Sequence, residues 1–166
     1  LKYLESEEFI IGIAEEIGPR ILYLAHSTKP DFNVMAVLPN AGKSTEDGFW
    51  NIYGWHRLWS SPEVDPRSYS LDNQPVEIKI QSKKITILGN PEPKNSLQKE
   101  IKLDFSNKGY VTVTHKIKNI GRWPIQAACW ALSVMRQKGF AIIPIKSRKV
   151  DKKGLLPDRH ISLWPY

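Results

Sequence analysis

Two neighbouring segments decide the fold: Ile101-Lys-Leu-Asp-Phe105 and Val111-Thr-Val-Thr-His-Lys-Ile117, joined by the turn-forming residues Ser106-Asn-Lys-Gly109. In both segments apolar and polar residues alternate with a period of two, which is typical of β-strands that bury one face. The segment Val76 to Ile80 alternates in the same way. A string of short strands joined by such turns favours an antiparallel β-sandwich.

The rest of the chain extends this pattern in both directions. The run Pro124 to Met135 is apolar on both faces, so we expect it at the centre of a sheet, with Phe140 to Ile145 beside it. No long helix is predicted, because twelve prolines are spread along the chain. The sequence predicts one all-β domain over residues 1–166. Three further strands are expected near its start: Phe9 to Ala14, Ile21 to Ala25, and Val34 to Leu38.

Length and composition are those of an ordinary globular domain. The 166 residues are enough to bury a sizeable core, and 41% of them are hydrophobic. Cys129 is the only cysteine, so no intrachain disulfide can form, and we expect its thiol to be a small buried hydrophobic group. No apolar stretch reaches the roughly 20 residues that cross a bilayer, and no signal peptide is visible. We therefore expect no membrane partner and a cytoplasmic location.

The net charge of +7 raises the alternative of nucleic-acid binding. Much of this excess lies in the tract from Lys146 to Lys153. Such a tract between strands is more often a solvated loop than a phosphate-binding surface. It contains no aromatic residue on which a base of a single strand would stack. Nucleic acid is therefore a disfavoured partner, although the basic module is kept as an alternative.

Two familiar ligand motifs are absent in their full form. Gly42-Lys-Ser-Thr45 is similar to the end of a phosphate-binding loop, but Val37 stands where the first glycine is needed. We expect a polar loop there. The histidines also lack the spacing of a metal site. No metal and no cofactor is therefore expected.

The segment Tyr53 to Glu63 is the richest in functional groups, with two indoles, an imidazole, a guanidinium and a carboxylate. Sugars present an apolar C–H face and a rim of hydroxyls, so a sugar site combines aromatic faces with charged hydrogen-bonding groups. The alternative is that Trp55 and Trp59 belong to the core and that His56 is a structural histidine.

Two other strands carry candidate side chains. Gln98, Lys99 and Glu100 open the strand that leads to Phe105, and Lys99 falls in register with its core side. These groups line a cleft in one interpretation, whereas in the other Lys99 extends outward to solvent. His115 lies on the apolar side of its strand, where a hydrogen-bonded core histidine is the more common case.

Taken together, several segments resemble a branch of the galactose mutarotase-like superfamily, the fold of aldose 1-epimerases. No reaction is assigned to this branch, and the resemblance spans most of the chain. The segments are Glu16 to Ile21, Gly54 to Trp59 with Pro62-Glu63, Gln98 to Ile101, Thr114 to Pro124 with Trp130 to Leu132, and Leu156 to His160 with Leu163 to Tyr166.

The resemblance implies a large antiparallel supersandwich with a sugar in an open cleft on one sheet. In aldose epimerases a histidine is the general acid and a glutamate from a late strand takes a proton. The place that matches this histidine holds Trp130, which cannot transfer a proton, and the chain ends before the late strand. The sandwich is thus expected to be incomplete at its C-terminus. An epimerase would need another acid–base pair, such as His56 with Glu63 or with Glu100.

The leading hypothesis is a carbohydrate-binding domain whose ligand is a sugar, a sugar acid or a sugar phosphate. A homo-oligomer is compatible with this hypothesis. The alternatives are a carbohydrate epimerase with a non-standard acid–base pair and a basic interaction module. The candidate catalytic residues are His56, Glu63 and Glu100. The candidate substrate-binding residues are Arg57, Trp59, Arg67, Gln98, Lys99, His115 and Trp130.

Overall fold

The computed structural model describes residues 1–106, 108–145 and 159–163, and its regular elements are strands with two short 3-10 helices. The helices are Arg67–Tyr69 and Pro93–Asn95. The strands are β1 Lys2–Glu5, β2 Phe9–Ile13, β3 Arg20–His26, β4 Gly42–Thr45, β5 Gly48–Asn51, β6 His56–Ser61, β7 Glu77–Gln81, β8 Lys84–Leu88, β9 Leu97–Asp104, β10 Thr112–Asn119 and β11 Ala128–Ser133.

These strands form two facing sheets and a hairpin. The first sheet has the order β1-β2-β3-β6-β11, the second has the order β10-β9-β8-β7, and β4 pairs with β5. Every ladder between these strands is antiparallel. The predicted all-β antiparallel sandwich is confirmed.

The core lies between the inner faces of the two sheets. Alternate residues of each strand point to opposite faces, which explains why the period-two pattern of the sequence becomes a buried layer. Fully burying one isoleucine side chain contributes about 1.5–3 kcal/mol to stability. The buried cluster is Ile11, Ile13, Ile21 and Leu58 from the first sheet, and Ile85, Ile87, Ile101 and Leu103 with Phe105 from the second.

Three expectations about strands are corrected. Residues 34–38 form only two isolated bridges, at Met35 and Val37, and no ladder. The Asn33 side chain occupies the edge of β3 here, because its Oδ1 accepts hydrogen bonds from the backbone N–H groups of Leu24 and Met35. Gly42–Thr45, expected as a polar loop, is strand β4.

The third correction concerns β11, which lies at the edge of its sheet and not at the centre. No ladder joins residues 140–145 to it within the described chain, and Phe140 is fully exposed. Cys129 is exposed, so its expected burial is wrong. A run that is apolar on both faces indicates that both faces of the strand can be buried. It does not indicate which strands pair with it, so it does not fix a central position in the sheet.

Some sequence predictions lie outside the described residues. These are the basic tract Lys146 to Lys153 and two parts of the C-terminal segments that resemble the mutarotase-like superfamily, namely Leu156 to Asp158 and Trp164 to Tyr166. In the parts of the chain that the structure describes, no helix combines the length and the apolar character needed to span a membrane.

Candidate functional site

Strand β6 carries the candidate residues on two opposite faces. His56 pairs with Ile21 of β3 and with Ser133 of β11, so it shares the inner face with the core. Arg57 pairs with Arg20 and with Leu132, so it lies on the outer face. Neighbouring residues of a strand point in opposite directions. The structure accordingly places His56 and Arg57 in different pockets, although the sequence analysis placed them together.

His56 and His115 meet between the two sheets, where both are partly buried. Their Nε2 atoms are 2.8 Å apart, and His56 Nδ1 lies 2.8 Å from Ser133 Oγ. Burial, with a smaller contribution from His115, lowers the pKa of His56 to about 4, and burial also lowers the pKa of His115. Both rings are thus neutral near pH 7, which lets one Nε2 donate to the other.

The space next to this pair is apolar. A cavity of about 280 Å³ borders His56 and is otherwise lined mainly by hydrophobic side chains such as Ile11, Ile21, Leu24 and Val113. A sugar placed there would leave most of its hydroxyls without partners, which is costly. The histidine pair is therefore better explained as a hydrogen-bonded core contact than as a sugar site.

On the outer face, Arg57 is enclosed by aromatic rings. Its guanidinium carbon lies 4.7 Å from the Trp50 ring centre and 4.4 Å from that of Trp59, and Nη1 donates to the Ile52 carbonyl at 3.1 Å. Only 3% of Arg57 is exposed. Trp130 lies opposite Trp59 in the ladder and meets it edge to face, with ring centres 5.3 Å apart. Trp130 thus supports Trp59, which is one of the two indoles that enclose Arg57.

A pocket of about 150 Å³ opens beside residues 57–59 of β6, and we call it the β6-edge pocket. It brings together three predicted substrate-binding residues: Arg57, Trp59 and Lys99. Its other polar lining residues are Ser70, Asp72, Gln74, Asn90 and Glu92. The pocket thus combines an indole, two cations, two carboxylates and neutral hydrogen-bonding groups.

The pocket exists because β3 leaves β6 early. Only Arg20 and Ile21 of β3 pair with β6, and Pro19, which has no N–H to donate, precedes them. Gly18 has a φ of 126°, a conformation that favours glycine, and its N–H donates to the Asp72 carbonyl. The remaining edge of β6 is therefore free of β3, and the loops around Asp72 and Glu92 close over it.

Two ion pairs hold the charged lining of the pocket. Lys99 Nζ lies 2.7 Å from Glu92 Oε1, and both side chains are nearly buried. Arg20, which is fully buried, places Nη2 2.6 Å from Asp72 Oδ2. Among the described residues no carboxylate lies within ion-pair distance of Arg57. With Arg20 counted beside Arg57 and Lys99, the site therefore holds three cations and two carboxylates.

The surroundings of Arg57 act on its pKa. Burial, and then the charge of Arg20, lower the pKa of Arg57 to about 9, while Asp72 and Glu92 act in the opposite direction. Its Nε finds no hydrogen-bond partner among the described residues. Arg57 is the least satisfied charge of the pocket.

The remaining candidate residues lie elsewhere. Glu100 is on the outer face of the second sheet, 3.3 Å from Lys102 Nζ and 3.7 Å from Lys116 Nζ. Glu63 is exposed and accepts a hydrogen bond from the Tyr69 hydroxyl. Neither carboxylate is brought to His56, so the proposed acid–base pairs are not assembled.

Two other candidates have structural partners. Gln98 Nε2 donates to the Gly89 carbonyl at 3.1 Å and so supports one wall of the pocket from outside. Arg67 Nη2 donates to the Pro62 carbonyl at 2.8 Å within its own loop. Gln98 thus contributes indirectly to the pocket, and Arg67 does not.

Sequence reasoning missed Asp72 and Glu92. Both lie in irregular segments, Glu92 between two prolines, where no periodic pattern assigns a side chain to a face. The proline-rich turn Gly89-Asn-Pro-Glu-Pro93 indicates that the chain reverses there. The ion pair between Glu92 and Lys99, however, depends on the tertiary fold and cannot be predicted from this turn.

The fold and the pocket define the protein as an antiparallel β-sandwich with a polar, indole-lined pocket at a strand edge. No family model and no solved structure matches the chain. The chain is 27% identical, over 60% of its length, to the sulfite reductase [NADPH] subunit beta of Saccharomyces cerevisiae, and it spans 7% of that protein. In the described residues no group of three or more His, Cys, Asp or Glu side chains is arranged to hold a metal ion.

Proposed function

We propose that the chain is a carbohydrate-binding domain and that one sugar ring occupies the β6-edge pocket. The observation that carries this proposal is the meeting of Arg57, Trp59 and Lys99 with Asp72 and Glu92 in one small pocket. Sugar hydroxyls both donate and accept hydrogen bonds, so they suit a lining that mixes cations and carboxylates. A few convergent polar groups in a concave site are typical of a small-molecule site.

The size of the pocket supports a single ring. A cavity of about 150 Å³ is large enough for benzene, and the β6-edge pocket has this volume. A six-membered sugar ring therefore fits if its outer hydroxyls remain at the mouth. Trp59 supplies the apolar surface on which the C–H face of the ring would lie. Trp130, which is not part of the lining, acts through its edge-to-face contact with Trp59.

Binding is better supported than epimerase chemistry. A general acid or base must come within hydrogen-bond reach of the proton that it moves. His56 lies in the interior against His115, and Glu63 and Glu100 lie on other surfaces. The likeness to the mutarotase-like superfamily stays a proposal, in agreement with the antiparallel sandwich. The cytoplasmic location stays a prediction.

The proposal is tested by isothermal titration of the chain with neutral and acidic sugars: glucose, galactose, mannose, glucuronate and glucose 6-phosphate. Glu92→Gln keeps the shape of the side chain but weakens its acceptance of sugar hydroxyls, so we expect at least a tenfold loss of affinity. Glu100→Gln is the matched control, because it makes the same change on the outer face of the second sheet. Lack of binding to every sugar of the panel by the folded chain, the acidic sugars included, or equal losses in both variants, would overturn the proposal.

A further inference from the structure

Arg20 does not line the β6-edge pocket, but it pairs with the lining residue Asp72. Counted together, the lining and Arg20 hold three cations and two carboxylates. Lys99 is paired with Glu92, and Arg20 is paired with Asp72. Arg57 borders the same pocket and, within the described part of the chain, has no carboxylate at ion-pair distance. One guanidinium charge is therefore not matched.

This unmatched charge is buried. Arg57 is 3% exposed, and burial with the neighbouring Arg20 lowers its pKa to about 9. Buried charges in proteins are normally paired, because removing an ion from water is costly. The indoles of Trp50 and Trp59 and the Ile52 carbonyl compensate Arg57 in part, but they bring no negative charge.

We infer that the sugar of the β6-edge pocket carries an acidic group, a carboxylate or a phosphate, which pairs with Arg57. This inference rests on the proposed function, since it names the class of carbohydrate that the same pocket binds. A guanidinium presents several N–H donors in a plane and matches the two oxygens of a carboxylate or phosphate better than it matches a hydroxyl. Lys99, held by Glu92, adds a second positive charge to the lining.

The test is a titration of the unmodified chain with four probes: glucose, glucuronate, glucose 6-phosphate and inorganic phosphate. We expect glucuronate or glucose 6-phosphate to bind at least tenfold more tightly than glucose. Which of the two binds more tightly distinguishes a carboxylate from a phosphate. Inorganic phosphate lacks the ring that contacts Trp59, so we expect it to bind at least tenfold more weakly than the preferred acidic sugar.

A variant tests the role of charge without removing the buried arginine. Glu92→Gln removes one negative charge from the pocket while keeping its shape. It should increase the ratio of acidic-sugar affinity to glucose affinity by about threefold or more, even though both affinities fall. A purely structural role of Glu92 would change both affinities alike and leave the ratio constant, which contradicts the inference.

The outcomes separate this inference from the proposed function. If glucose binds as tightly as both acidic sugars, the inference is overturned and carbohydrate binding stands. If inorganic phosphate binds as tightly as glucose 6-phosphate, the pocket recognises a free anion and the inference is overturned. If the folded chain binds none of the four probes, the proposed function itself fails.

Discussion

His56 Nε2 lies 2.8 Å from His115 Nε2, and this contact joins the two sheets of the sandwich. The two residues are 59 positions apart in the chain, and each lies on the apolar face of its own strand. Both lowered pKa values follow from burial, so the pair is neutral near pH 7. This partly buried contact therefore makes the stability of the fold sensitive to acid.

The first prediction concerns this sensitivity. The pKa of His56 is about 4 in the folded chain and about 6.5 in an unfolded one. The unfolded state therefore binds the proton first as the pH falls, so stability is lost between about pH 6.5 and pH 4 and is fully present above this window. We expect a loss of up to about 3 kcal/mol from this group.

Urea unfolding at pH 7 and pH 4.5 measures this loss. His56→Gln removes the titrating ring, so the difference in unfolding free energy between the two pH values should shrink relative to the unmodified chain. An identical pH dependence in both proteins would show that His56 does not contribute.

The second prediction concerns the ion pair between Lys99 and Glu92. Lys99→Met leaves a nearly buried carboxylate without its partner, and breaking a buried pair in this way costs about 3–5 kcal/mol. Lys79→Met is the matched control, because Lys79 pairs with Glu77 in the exposed part of β7. An exposed ion pair contributes roughly 0–1 kcal/mol to the free energy of unfolding, so the control variant should lose little stability. Chemical unfolding that gives equal losses for both variants would contradict the assigned burial.

The third prediction concerns Trp130. Its edge-to-face contact holds Trp59, so Trp130→Ala should weaken sugar binding several-fold and destabilise the chain by about 1–3 kcal/mol, less than a fully buried tryptophan would. Trp123→Ala is the control, since that indole is 80% exposed. Titration of the two variants with sugar measures the loss of affinity, and thermal unfolding measures the loss of stability. A larger effect at Trp123 than at Trp130 would refute the packing described for the outer face.

The fourth prediction concerns the turn that ends the pairing of β3 with β6. A Cβ added at Gly18 would lie 2.5 Å from the Arg20 backbone N, and the φ of 126° is unfavourable for alanine. Gly18→Ala should therefore destabilise the fold by about 1–3 kcal/mol. At Gly139, where a Cβ would meet no atom within 4 Å, the same change should be nearly neutral. Equal effects at both glycines in thermal unfolding would argue against the strained turn.

The sandwich could be predicted from the sequence because alternation is a local property. Ile101, Leu103, Val113 and Ile117 each carry the period of two, and their burial follows from it. The position of β11 could not be predicted, because a run that is apolar on both faces is compatible with either the centre or the edge of a sheet. Among the strands that the structure describes, β11 pairs with β6 alone, and this pairing places it at the edge.

The candidate site was only partly predictable for a related reason. Arg57, Trp59 and Lys99 were identified by residue type, and the structure brings them to one pocket. His56 was grouped with Arg57 because they are neighbours in sequence, although neighbours in a strand point to opposite faces. Asp72 and Glu92 come from irregular loops, whose positions depend on contacts between distant parts of the chain.

The most direct test of the central claim is a crystal structure of the chain with glucuronate. We expect the ring to lie against the Trp59 indole, with the carboxylate at about 3 Å from the Arg57 guanidinium, as a charge-assisted hydrogen bond requires. A sugar bound instead beside His56 on the inner face, or beside Glu100 on the second sheet, would contradict it.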